Sequence, residues 1–390
     1  MTTSRLPALA CVLACLLATG ARANERFFEK ETVAASRVKK APVTVDDARW
    51  AKLPGKTLSV YPQGSVRLND KKANEALSAQ RPAPVLVKAA YDNRFLSVWL
   101  EWSDESEDRV HPEETSAFGD TVAVEVPVRF GEGVRLPYVG MGDEQENVYV
   151  YMQRAITDGS LGREYVAAGF GSLTRTRVGG TRISMRYDAA ARKWRAVFAR
   201  PLVASGHSLK SGLVPFAIAV WDGGQSQRGG NKALSGWKFL KLDAFKTSPA
   251  YLNEMAFGYE PGDVGDPAKG KPLVESVCVA CHRLGDKRFA PEGFAPDLSN
   301  IGGIATYSYL RDSLLAPGDV IVPHLNPNRH YKKSATPDAY HAYPNNETYQ
   351  WYAVDSSGKK VSKMAPFGQM GKDAVANMVA YLKTLGAEEP

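Results

Sequence analysis

Two periodicities divide this chain of 390 residues. Between residues 40 and 245, apolar positions recur every second residue in short runs. Val122, Val124, Val126 and Val128 alternate with Thr121, Ala123, Glu125 and Pro127. Ile183, Met185 and Tyr187 alternate with Arg182, Ser184 and Arg186, and Trp194–Phe198 and Phe216–Val220 repeat the pattern. Period two with turn residues between runs predicts half-buried antiparallel strands, and so a β-sandwich. About two hundred residues suffice for a sizeable core. Near the C-terminus the period changes. Val375, Met378, Val379 and Leu382 fall at i, i+3, i+4 and i+7, the signature of an amphipathic helix. Ser308–Leu315, stopped near Pro317, is a second candidate helix, and a third begins near Asp266–Pro267. Gly258–Pro267, with three Gly and two Pro, reads as a connection. The expected division is a leader at 1–23, a β-sandwich domain at 24–257 (core 40–245), a linker at 258–266 and an all-α domain at 267–390.

The leader assignment rests on Arg5, the short apolar run Leu6–Leu17 and the A-x-A site Ala21-Arg22-Ala23, which place cleavage after Ala23. A lipoprotein reading through Cys15 would leave an unusually short apolar region. The run is too short to span a bilayer, and no later stretch is long and apolar enough, so the mature chain is expected to have no integral membrane segment. Export would also remove Cys11 and Cys15, leaving Cys278 and Cys281 of the four cysteines.

Those two lie in Cys278-Val279-Ala280-Cys281-His282, a C-x-x-C-H pentapeptide. Each thiol can form a thioether to a haem vinyl group, and the adjacent imidazole can ligate the iron, so this is a c-type haem attachment site. A redox Cys pair or half a zinc site would use the same two thiols without the His. Covalent haem and a leader together point to the periplasm.

Charge adds one asymmetry. The formal net charge of +7 drops to +5 without the leader's Arg5 and Arg22. Residues 261–390 hold 14 basic and 14 acidic side chains, so the excess lies in the β domain. Between Arg175 and Lys241 there are 13 Lys/Arg against Asp188 and Asp222 alone. Such a run can face an acidic partner or cofactor propionates, or be a solvated basic face. Nucleic acid is not an expected partner in this compartment.

The C-terminal part resembles class I cytochromes c. The resemblance is carried by the pentapeptide, Ala295-Pro296-Asp297-Leu298, Tyr309–Pro317, Met364-Ala365-Pro366-Phe367 and Met378–Lys383, and spans about residues 266–386. It implies that His282 and Met364 are the axial ligands and that the Pro296 carbonyl accepts the His282 ring N–H. A thioether ligand favours reduced iron and raises the potential. Met370, Met378, His324, His330 and His341 are the competing ligands. The Pro-, Asn-, Tyr- and His-rich stretch 322–361 is an insertion relative to that family, either a cover for the haem edge or a docking surface.

The β domain carries a second resemblance. Leu136–Asp143 precedes the strand Val148–Tyr151, and Phe216–Gly224 is followed by Gly229–Trp237. Over about residues 40–242 this is similar to the haem b-binding gamma subunit of ethylbenzene dehydrogenase and its relatives among type II molybdenum enzymes of the dimethyl sulfoxide reductase family. The resemblance implies a β-sandwich holding haem b between Met141 and Lys232, with Lys193 and Lys238 as competing lysines. Lysine binds iron only as the neutral amine, so its pKa must fall. Met152 and Met185 lie in strand patterns and are expected in the core. The strand after the Met departs from the family by carrying tyrosines where relatives carry more Trp and a Lys.

The sequence is therefore read as a periplasmic dihaem electron-transfer protein, the gamma-type subunit or partner of a molybdenum oxidoreductase. The catalytic and iron–sulfur subunits would be other chains, since no Cys remains for iron–sulfur ligation and no substrate-converting site is visible. Two rivals stay open. In one, the sandwich binds carbohydrate on exposed Trp99, Trp102 or Tyr91 and only haem c is present. In the other, an open iron position performs peroxide or nitrogen-oxide chemistry.

Overall fold

The alternating runs form strands. The computed structural model describes residues 27–65, 71–114, 116–169, 172–259, 265–290, 295–321 and 352–386. The expected leader, its cleavage site and the three candidate histidines of the insertion lie outside those residues. In chain order the strands of the N-terminal part are β1 (Thr32–Arg37), β2 (Lys56–Pro62), β3 (Ala83–Tyr91), β4 (Phe95–Ser103), β5 (Thr121–Pro127), β6 (Val148–Ile156), β7 (Gly159–Ala167) and β8 (Thr174–Thr176). They continue as β9 (Arg182–Asp188), β10 (Lys193–Pro201), β11 (Val203–Ala204), β12 (His207–Ser208), β13 (Leu213–Trp221), β14 (Ala233–Leu234) and β15 (Lys238–Lys241).

The ladder runs β8-β7-β6-β5-β13-β14-β2-β3-β4-β10-β9, antiparallel throughout. β1 is the exception: Thr32–Ala34 pair in parallel with β15, and Ala35–Arg37 in parallel with β3, which ties the two halves of the sandwich together. Between the halves lies one core. Val122, Val124 and Val126 of β5 share it with Val98, Leu100 and Trp102 of β4, Trp194 and Phe198 of β10, and Phe216 and Ile218 of β13. Trp99, Trp102 and Tyr91 are all buried, so none of them is an exposed sugar platform.

One expectation is corrected here. Simple alternation implies a solvated second face, yet every residue of β5 and all but Ala219 of β13 are buried. The second face carries small residues, Ala123 and Ala217, and is covered by Val139, Trp237, Tyr251 and Met255. Tyr251 and Met255 come from a helix, Pro249–Tyr259, that the sequence pattern did not reveal. Its apolar residues surround the axis, from buried Ala256 to exposed Phe257, so no amphipathic stripe marks it. A further helix, Lys71–Ala79, was also missed.

The C-terminal part is helical. Asp266 caps the helix Pro267–Val277 by accepting the Ala268 N–H at 2.9 Å, with Pro267 at the first helical position. That helix crosses the terminal helix Lys372–Leu382 at Gly270, where a Cβ would lie 1.8 Å from the Asn377 carbonyl oxygen. Only a glycine allows this approach. Thr306 caps the helix Tyr307–Leu315 through the Tyr309 N–H at 3.1 Å. The described end of the insertion is a hairpin, Tyr352–Val354 with Lys360–Ser362.

The two parts dock on each other. Ile304 enters the apolar cluster of Trp237 and Tyr251, and a Cβ on Gly303 would meet the Tyr61 ring. The Asp297 N–H donates to Gly64 O at 3.0 Å, Asn300 Nδ2 to Pro62 O at 2.9 Å, and Gln145 Nε2 to Asp319 O at 3.1 Å. Lys360 of the hairpin pairs with Glu144. Among the described residues no helix is long and apolar enough to cross a membrane.

Candidate functional site

The pentapeptide follows directly from the capped helix. A single 3-10 turn, Cys278–Ala280, brings the His282 N–H to Cys278 O at 2.8 Å. Cys278 is buried and its thiol is pushed up to about 12, chiefly by burial, whereas Cys281 is exposed. His282 Nδ1 lies 2.7 Å from the Pro296 carbonyl oxygen. The ring therefore donates there, and Nε2 is left for iron. Burial lowers the His282 pKa, and the neutral ring is the form a metal requires. Met364 packs half-buried against the cluster that contains Cys278, Leu310 and Leu314, as does Met370. Met378 is fully buried in the terminal helix, in core packing. Two thiols of one pentapeptide, an imidazole with its orienting carbonyl, and a thioether packed against the cluster of Cys278 fit a c-type haem.

In the β domain a cavity of about 460 Å³ opens on the second face of β5 and β13. That volume lies in the ~300–1,000 Å³ range of cofactor clefts. Met141 and Lys232 both line it, 91 positions apart in sequence. Met141 sits at φ +83 between Gly140 and Gly142, a left-handed conformation that a side chain rarely adopts. Such strain is tolerated where the surroundings enforce it. Here Met141 O accepts the Gly169 N–H at 2.8 Å.

Lys232 is 3% exposed, with Nζ 4.9 Å from the centre of the Trp221 ring. Burial depresses its pKa, opposed by the Glu125 charge, and burial raises the Glu125 carboxyl, opposed by Lys232. The amine is thus moved toward the neutral form that iron needs. Glu125 Oε1 has no hydrogen-bond partner among the described atoms. The walls are apolar, from Ala123, Val139, Val150 and Leu234, and Arg154 and Arg228 supply cations. A thioether, a depressed lysine and two guanidiniums around an apolar slot fit a b-type haem.

The competing lysines point elsewhere. Lys193 pairs with Glu101 at 2.9 Å, and Lys238 pairs with Glu31. Met185 is in the sandwich core as expected, but Met152 lines the cavity, because β6 turns its second face there. Glu125 escaped the sequence reading, since in an alternating strand it counts as an outward residue. The basic run from 175 to 241 is not one face either. Arg200 is buried, Lys193 and Arg195 share Glu101, and Arg228 and Lys232 turn to the cavity.

Fold and sites together define an electron-transfer protein: a β-sandwich joined to a cytochrome c domain. The profile of the cytochrome c family matches residues 267–386. The chlorate reductase subunit gamma of Ideonella dechloratans is 32% identical over 196 residues, 48% of this chain and 74% of that protein. A Haloferax mediterranei protein bearing the name of a respiratory nitrate reductase heme subunit is 30% identical over 169 residues, 42% of this chain, which spans 58% of its length. The dimethylsulfide dehydrogenase subunit gamma of Rhodovulum sulfidophilum is 26% identical over 220 residues, 52% of this chain and 76% of its own. The chain belongs to the family of these gamma subunits, with a cytochrome c domain in its C-terminal part.

Proposed function

We propose that this chain is a periplasmic dihaem subunit that passes single electrons between a molybdenum oxidoreductase and a second redox partner. The β-sandwich, residues 24–257, would hold haem b through Met141 and Lys232. The domain at 267–390, beyond the 258–266 linker, would hold covalent haem c through Cys278, Cys281, His282 and Met364. The carrying observation is that Met141 and Lys232 line one apolar cavity, with burial pressing the lysine toward its neutral form. The heme-subunit name of one relative and the gamma-subunit names of two others support the role. The chain's residues supply ligands, orientation and exclusion of water, and the bound haems supply reversible one-electron chemistry.

Two substitutions test the haem b assignment. Met141→Ala and Lys232→Ala are each expected to lose acid–acetone-extractable haem while keeping one covalent haem per chain. Full retention of extractable haem in both variants would overturn the assignment. Met152, in the same cavity, would then be the next thioether to replace.

A further inference from the structure

One peptide group serves both candidate centres. The carbonyl of the Pro296–Asp297 peptide accepts the His282 ring N–H at 2.7 Å. The N–H of that same peptide donates across the domain boundary to Gly64 O at 3.0 Å. One residue earlier, the Gln63 N–H donates to Lys232 O at 3.1 Å. Covalent bonds and three hydrogen bonds therefore join the lysine of the β-domain cavity to the imidazole of the pentapeptide, with no through-space gap. Gln63 is locked at the crossing: its side-chain amide reaches Gly230 O, and its Oε1 accepts the Ser65 N–H at 2.9 Å. Gly64 has no left-handed φ, so its lack of a side chain serves proximity. A Cβ there would sit 2.4 Å from Asp297 Cβ and 3.0 Å from Asp297 O.

We propose that the Pro296–Asp297 peptide is the bridge through which the two haem centres exchange electrons, and that Gly64 is the positioning residue that holds it in register. The proposal rests on the dihaem reading above. Tunnelling decays more slowly along bonds and short hydrogen bonds than across empty space, which favours this route. One electron leaves a ferrous iron and reduces a ferric one, with no proton moved and no bond made or broken. The same geometry couples docking to the proximal histidine. An N–H engaged by Gly64 polarises its peptide and strengthens the carbonyl that holds His282. A stronger hold on the ring N–H makes the imidazole a better donor and lowers the haem c potential.

Gly64→Ala in the full chain, loaded with both haems, is the test, with Gln145→Ala as the control that loosens docking away from the bridge. In Gly64→Ala, electron equilibration between the haems after pulse reduction is expected to slow. The haem c potential should rise, and the Asp297 amide should lose its protection from hydrogen exchange. Haem content should match the unsubstituted chain. Gln145→Ala should change none of these. An unchanged equilibration rate in Gly64→Ala, or equal slowing in Gln145→Ala, would overturn the bridge. If the unsubstituted chain holds no extractable haem, the dihaem reading fails instead. Asp297 protection and the haem c potential then still report on the Gly64 contact, and unchanged values in Gly64→Ala would sink that too.

Discussion

At the scale of residues, burial decides which side chains this protein keeps uncharged. Lys232 and Glu125 line one cavity, and each is driven toward neutrality by burial. A second group obeys the same physics away from that cavity. Asp104, Asp108, Asp120 and Asp222 bring their carboxylate oxygens within 4.8 Å of one another. Burial first, then the neighbouring charges, raises Asp104 to about 8, and burial raises Asp120 to about 6. A carboxyl whose pKa is higher folded than unfolded supports the fold at low pH and loses that contribution as pH rises through the folded value. Stability should therefore fall between about pH 4 and pH 8. Asp104→Asn, which keeps an acceptor for the Ser106 N–H, should flatten that dependence and add about 1–3 kcal/mol near pH 8. Urea midpoints across pH check it, and a profile as steep as the unsubstituted chain's would refute it. For the distal ligand of haem c, Met364→Ala should leave the haem covalent but turn it high-spin. An unchanged low-spin spectrum would move the ligand to Met370, which packs against the same cluster.

At the scale of elements, close backbone approach is the recurrent device. Gly270 puts two helices in contact, and Gly302 lies where a Cβ would be 2.3 Å from Lys383 O. Alanine ordinarily stabilises a helix interior by about 1 kcal/mol over glycine. Gly270→Ala should do the reverse, costing about 1–3 kcal/mol by overpacking and lowering the yield of covalent haem. Thermal melts followed at the haem band measure this, and a raised Tm would contradict it. The elements themselves were largely legible. β5, β9, β10 and β13 stand where period two placed them, and the helices at 267–277, 307–315 and 372–382 where period 3.6, capping and Pro placed them. What stayed illegible had no one-dimensional trace. The helix Pro249–Tyr259 is apolar on several sides, and the burial of Glu125 depends on the Leu136–Met141 loop arriving from elsewhere in the chain. Met141 and Lys232 were legible only through family likeness, because no local period marks a cavity wall.

At the scale of the molecule, two domains share one boundary, and Ile304 of the second enters an apolar cluster of the first. Apolar contact at Ile304, the Tyr138–Tyr309 ring pair at 5.8 Å and four polar links join the parts around a cavity of about 580 Å³. The proposed relay needs a redox centre in each domain, and the account stands on that stoichiometry. The most direct test is the haem inventory of the exported full-length chain, produced with ample haem, by pyridine haemochrome before and after acid–acetone extraction. The account expects one extractable haem b and one covalent haem c per chain. Covalent haem alone, at full loading, would contradict it and leave the β domain as a binding or docking module.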